Sequence, residues 1–306
     1  MGWFDMTEQN FDDYKKAGKI AEQAITFARS KAKVGLELLD LAEGIENRII
    51  ELGGKPAFPL NLSANEQAAH YTPKINDEKI IGERDVLKID IGVHVNGFIA
   101  DCSFTVDFSG ENGKLLEASK TALQNALSTA RAGVKVSKIG AEIEKTIKSY
   151  GFKPVENLCG HSLSQYMVHA GVSIPNVESG NYILKEGDVF AIEPFATNGV
   201  GRIADNPAIE EIFSCPQNLK ARMPQTKKVI SFIESNFKTL PFAKRWIAKG
   251  LKLEASQIDF ALSDLKRNNS LNSYPVLQEV GKGLVSQSET SIIVEKDGVS
   301  VIVGNF

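Results

Sequence analysis

Between Leu87 and Val106 the chain alternates apolar and polar positions around one Asn96-Gly97 pair. This is the pattern of a β-hairpin closed by a two-residue turn in which both residues accept positive φ. Pairing Val95 with Phe98 fixes the register. Leu87, Ile89, Ile91, Val93 and Val95 then share one face with Phe98, Ala100, Cys102, Phe104 and Val106, an apolar surface of the kind a core requires. On the other face Asp90 stands across from Ser103, with Asp101 as its diagonal neighbour and His94 nearby. That face either meets solvent or gathers two carboxylates around an ion, because close carboxylates repel unless a proton or cation separates them.

Helical periodicity surrounds the hairpin. Thr7 to Lys33 carries the apolar stripe Phe11, Tyr14, Ala17, Ala21, Ala24 and Ala28. A second helix is predicted from about Leu41 to Leu52, with Asp40 and Glu43 as a capping box and Gly53-Gly54 as the stop. Ala57-Phe58-Pro59-Leu60 leads into a polar loop that ends near Pro73. Further helices are predicted from Gly113 to Ala132 and from Val136 to Tyr150, and strand character returns from Ser286 to Val303.

The two halves repeat one another. The segment from Ile45 to Pro56 recurs 98 residues later from Ile143 to Pro154, His70 has a counterpart 99 residues on at His169, and Glu83 to Asp90 recurs 103 residues later as Glu186 to Glu193. Ordered matches with a slowly drifting offset indicate an internal duplication rather than a solenoid. Glu193 therefore occupies the place of Asp90, and two related halves would aim carboxylates at one centre. Helices followed by strands in each half argue for an α+β fold with helices on one face of a largely antiparallel sheet. The stretch 207–271 interrupts the second half as a helical insertion, leaving 1–206 and 272–306 as the catalytic domain.

Composition adds little to this. The chain has 306 residues, 42% hydrophobic and 24% charged, with a formal charge of −3, ordinary for a globular protein. The apolar runs are too short to span a membrane, and Met1 to Asp5 lacks the basic start and apolar core of a signal peptide, so the expectation is a cytoplasmic, monomeric protein. Cys102, Cys159 and Cys215 form no metal spacing and are read as structural. From Pro216 to Asn272 eleven Lys or Arg face four Asp or Glu; this local excess describes either solvated helix faces or a contact with RNA or the ribosome.

Beyond Asp90, Asp101 and Glu193, the remaining candidates for the centre are His161 in Cys159-Gly160-His161-Ser162 and Glu289 in Gln287-Ser288-Glu289-Thr290. Four carboxylates and a neutral imidazole balance two divalent ions, and such a set suits Mn²⁺ or Fe²⁺. Five places along the chain now resemble a known family: Phe58 to Pro73, Asp90 to Asp101, Gly160-His161, His169 and Ala191-Ile192-Glu193-Pro194-Phe195. The resemblance is to the methionine aminopeptidases, in the short, archaeal-like form of their type II branch, whose helical insertion the segment between Glu193 and Glu289 resembles.

The resemblance implies the pita-bread (creatinase/aminopeptidase) fold and two divalent ions, Mn, Fe or Co, held by Asp90, Asp101, His161, Glu193 and Glu289. It implies Glu193 as proton shuttle, His70 and His169 beside the substrate, and Phe58, Val168 and Phe195 around the methionine side chain, positions that by themselves read equally as core. Nascent polypeptide N-termini with a small second residue would be the substrates, a transient ribosome contact a further possibility, and a membrane no partner. His94 matches no ligand position. Around Glu289 the family usually has Gln-Phe-Glu-His, so Ser288 and Thr290 depart from its pattern. A proline-directed peptidase of the same fold and a non-catalytic RNA- or ribosome-binding relative stand as the alternatives.

Overall fold

The computed structural model describes residues 8–215, 219, 221–268 and 270–304. Thr7, Met1 to Asp5 and Lys220 lie outside them. The hairpin forms in the register read from the sequence, from Val86 opposite Asp107 to Val95 opposite Phe98, with Asp90 opposite Ser103. Asn96 and Gly97 turn it with φ of 53° and 90°. Its apolar face packs on α1 (Glu8–Lys31). Ala17, Ala21, Ala24 and Ala28 are fully buried there, small enough to let the helix lie close to the sheet. Tyr14 meets Phe98 edge-on at 5.2 Å between ring centres.

The second helix, α2 (Leu38–Glu51), starts three residues before the expected position, and Asp40 and Glu43 form no capping box. Its start is held by the backbone instead. Leu38 N–H donates to the Lys79 carbonyl at 2.8 Å, and Glu37 bridges Ile80, so a leading N–H has its partner without a side-chain cap. The stretch expected to be a polar loop after Leu60 contains two short strands, Asn61–Ala64 and Gln67–Ala69, turned at Asn65. The first pairs with the hairpin and sets Asn61 opposite Asp90. Such strands are too short and polar for periodicity to reveal them.

The duplication is visible in detail. In the second half α3 (Gly113–Thr129) and α4 (Val136–Ser149) pack together over the sheet that contains Val189–Ile192 and Thr290–Val294. α3 ends three residues short of Ala132, whose N–H donates to Glu295. α2 and α4 are each 14 residues long. They stop alike, at Leu52 and Tyr150 in helical conformation, then at Gly53 and Gly151 with φ of 88° and 87°, and each passes into a Lys-Pro strand. Helices and antiparallel strands thus make the expected α+β architecture.

The halves join edge to edge. Ser103 and Glu289 exchange backbone hydrogen bonds, and Ser291 Oγ donates to the Asp101 carbonyl at 2.7 Å. The polar face of the hairpin is therefore covered rather than wet, with Asp101 2% and Ser103 0% exposed.

Between Ile212 and Tyr274 a small sheet of Ile212–Ser214, Phe242–Ala243 and Asn272–Tyr274 carries α5 (Pro224–Asn236), α6 (Lys244–Leu251) and α7 (Ala255–Arg267). These helices enclose a core of their own that includes Phe213, Val229, Ile233, Phe242 and Leu265. Four of this segment's cations are paired with acids. Lys244 meets Glu211 and Asp259, Lys249 meets Glu43, Lys266 meets Glu210, and Arg245 meets Glu46. No helix among the described residues is long and apolar enough to cross a membrane.

Candidate metal centre and substrate cavity

Asp90 and Asp101 reach the centre from the hairpin, and the second half delivers the rest. His161 lies on the strand Cys159–Ser162, opposite Ala191, and Glu193 directly follows the strand Val189–Ile192. A Cβ at Gly160 would stand 2.4 Å from the Ala191 carbonyl oxygen, so this close strand approach requires glycine. Glu289 arrives through its bridge to Ser103. His161 Nε2 lies 3.8 Å from Asp101 Oδ2 and 3.5 Å from Glu193 Oε1. Asp101, His161 and Glu289 each offer a ligand atom, all within 4.8 Å of one another.

Without a cation these groups oppose each other. Burial raises the Asp90 carboxyl to about 7. Burial, and then the charges of their neighbours, hold Asp101, Glu193 and Glu289 well above the usual carboxylate range. Burial lowers His161 to about 3, which keeps its imidazole neutral and its lone pair free. Asp90 Oδ1, Asp101 Oδ1 and His161 Nδ1 are buried without hydrogen-bond partners. Unpartnered buried oxygens, clustered carboxylates and a neutral imidazole fit a divalent cation.

One residue of the centre escaped the sequence reading. Gln287 is 1% exposed, and its amide donates to Glu289 Oε2 at 3.2 Å and to Glu193 Oε2 at 3.5 Å. It therefore orients two of the carboxylates, and its position two residues before Glu289, on the same strand face, was the available signal. Ser288 and Thr290 point elsewhere. Ser288 Oγ meets Ser119 Oγ of α3 at 3.2 Å, and Thr290 Oγ1 donates to the Val303 carbonyl at 2.7 Å. The departure from the family pattern thus falls on packing behind the centre. Thr290→Val is expected to lower stability by about 1 kcal/mol and leave activity within about twofold, as read by thermal unfolding beside a peptidase assay.

A cavity of about 200 Å³ opens onto Asp90, Asp101, His161, Glu193 and Glu289. Phe58, Val168, Leu158, Leu277 and, from the segment between Ile212 and Tyr274, Ile212, Pro241 and Tyr274 supply its apolar wall. The Phe58 ring packs against Gly92, where a Cβ would come within 2.3 Å of it. Phe195, expected on this wall, is instead fully buried in a cluster with Val155 and Val285, packed against the wall residues Ala69 and Leu277, because its strand pairs it with Gln287 and turns its ring into the core. Cys159, read as structural, lies on the cavity wall. Cys102 and Cys215 are buried.

His70 and His169 both line the cavity. The His169 ring stands 4.3 Å from that of His161, and His70 lies edge-on to Tyr274 at 5.8 Å. His70 holds a left-handed φ of 68°, a conformation rare outside glycine. Its Nδ1 faces the Pro275 carbonyl at 3.2 Å. A carbonyl only accepts, so Nδ1 carries the proton and Nε2 is left as an acceptor. Burial lowers His70 to about 4 and fixes the neutral form. His94 does not reach the cavity. Its Nδ1 accepts the Gly97 N–H at 3.1 Å and so holds the hairpin turn.

Residues 12–215 match the model of metallopeptidase family M24. A methionine aminopeptidase of Pyrococcus horikoshii is 49% identical over 292 residues, 95% of this chain and 98% of that protein. Among solved structures, a thermophilic Arx1 superimposes with a TM-score of 0.85 at 18% identity, covering 98% of this chain and 91% of its own. Methionine aminopeptidase from Rickettsia prowazekii does so with a TM-score of 0.71 at 20% identity, covering 98% of both chains.

Proposed function

Since the chain belongs to metallopeptidase family M24, and within it to the methionine aminopeptidases, we propose that it removes the initiator methionine from nascent chains whose second residue is small. The observation that carries this reading is one apolar cavity ending on five convergent ligand residues, three of which keep buried atoms without a partner. Asp90, Asp101, His161, Glu193 and Glu289 would hold two divalent ions of Mn, Fe or Co. When bound, such ions polarise a carbonyl and lower the pKa of water.

The chain's own residues supply the remaining steps. Phe58, Val168 and the insertion's Ile212 and Pro241 bury the methionine side chain. Glu193, only 13% exposed in its side chain, takes a proton from the attacking water and returns it to the leaving amine. His70 Nε2 accepts a hydrogen bond from the substrate backbone, and His169 donates to the oxygen that becomes negative, a contact worth about 3 kcal/mol. Crowding of His70, His169 and Tyr274 at the cavity supports a small second residue. With the pairing of Lys244, Arg245, Lys249 and Lys266, a transient ribosome contact would fall to Arg222, Lys227, Lys228 and Lys252.

Purified protein with added Mn²⁺ or Co²⁺ is expected to release methionine from Met-Gly and Met-Ala peptides and to stop when the metal is chelated. Release of the first residue from Xaa-Pro peptides instead would transfer the reading to a proline-directed peptidase. Absence of hydrolysis on either panel would favour the non-catalytic alternative, the third member of this fold.

A further inference from the structure

Glu46 is a buried acid on α2 that the reaction does not use. One of its oxygens accepts the Leu60 backbone N–H at 3.1 Å and also pairs with Arg245 Nη2. The other accepts the Trp246 indole N–H at 2.9 Å. Leu60 belongs to the run Phe58-Pro59-Leu60-Asn61, whose two ends line the cavity. Arg245 and Trp246 lie in the first turn of α6, a few residues after Pro241, which also lines the cavity. A single carboxylate therefore ties together two segments that both contribute to the cavity lining and lie some 180 residues apart in the chain.

The tie is specific. Arg245 is 4% exposed, and its Nε and Nη1 have no partner. A buried guanidinium in that state depends on its one carboxylate, because removing the partner strands a charge in a low-dielectric interior. Such an arrangement suits a joint that must hold one geometry more than it suits adhesion, for which apolar packing would serve as well. Phe58, pressed on Gly92, cannot retreat into the sheet, so the span to Pro241 is governed from the Glu46 side.

We propose that Glu46 is a positioning residue that sets the cavity's width by holding the Phe58–Asn61 wall against the Pro241 wall, and thereby sets the preference for methionine over other side chains. It rests on the aminopeptidase reading for the identity of the occupant. An unbranched thioether needs a narrow, fixed slot, and a slot free to widen loses the distinction between methionine and leucine, which differ by a branch rather than by polarity.

The test uses full-length, metal-loaded protein. Glu46→Gln strands the Arg245 charge and could unfold the chain. The double variant Glu46→Leu/Arg245→Leu removes both charges and is expected to fold, since apolar replacement of a buried pair is tolerated. In the double variant KM for a Met-Gly peptide is expected to rise about tenfold and the kcat/KM preference for Met over Leu to fall about tenfold, with kcat and bound metal unchanged. Free methionine is expected to alter the tryptophan fluorescence of the wild type, a change lost in Trp246→Phe and in the double variant. A folded double variant with wild-type KM, selectivity and fluorescence response overturns the proposal, as does a loss of kcat in step with metal. A wild type that releases no methionine strikes the aminopeptidase reading instead, and the fluorescence arm, which needs no turnover, still decides whether the joint senses the cavity.

Discussion

The Asp101→Asn protein is expected to bind no stoichiometric metal and to lose about 10³-fold or more in kcat/KM, while its metal-free form outlasts metal-free wild type on heating at pH 8. Both effects have one cause. Asp101 is 2% exposed, and burial followed by the Asp90 charge raises its carboxyl well above the usual range. A folded-state pKa above the unfolded value of about 3.9 means that the contribution to stability is complete below that value and is lost as pH rises through the folded pKa. At pH 8 the metal-free wild type therefore bears a penalty that asparagine removes. The gap should narrow at pH 5 and close near pH 4. Calorimetric unfolding in chelator at several pH values, beside metal analysis of both proteins, measures it. An Asp101→Asn protein that retains metal, or whose metal-free form is less stable at pH 8, would contradict the placement of Asp101 at the centre.

Loading metal at pH 6.5 is the second large effect. It should release at least roughly one proton per chain, and the apparent affinity should fall about tenfold per pH unit for each proton released. In the metal-free protein Asp90, raised to about 7 by burial, is largely protonated at that pH, and burial with neighbouring charge raises Asp101, Glu193 and Glu289 as well, whereas ligation requires the ionised forms. His161, lowered to about 3 by burial, is already neutral and releases none. Titration calorimetry in two buffers of different ionisation enthalpy reads the protons directly. Heats that do not depend on the buffer at pH 6.5 would mean that the ion binds elsewhere.

Much of this molecule was legible along the chain because the relevant physics is local. Alternation around Asn96-Gly97 determined the hairpin register and placed Asp90 diagonal to Asp101. The repeat between the halves predicted that Glu193 would stand where Asp90 stands, and the matching stops at Gly53 and Gly151 show how literally one half copies the other. Apolar spacing also located the helices of the catalytic half to within a few residues, since burying one face is what stabilises them.

The tertiary structure decided whatever depends on partners distant in sequence. The bridge between Ser103 and Glu289 turned a polar hairpin face into a buried centre, and nothing near either residue in the chain announces it. The donation from Gln287 to two carboxylates, the turn of Phe195 into the core and the hold of His94 on Gly97 follow from sheet pairing and local register. The helix starts at Leu38, so that Asp40 falls inside its first turn and cannot cap it, and Leu38 N–H is taken by Lys79, about forty residues away. The share of the cavity supplied by Ile212, Pro241 and Tyr274 likewise had no sequence signature. Periodicity records which face of an element is buried, but it cannot record against what.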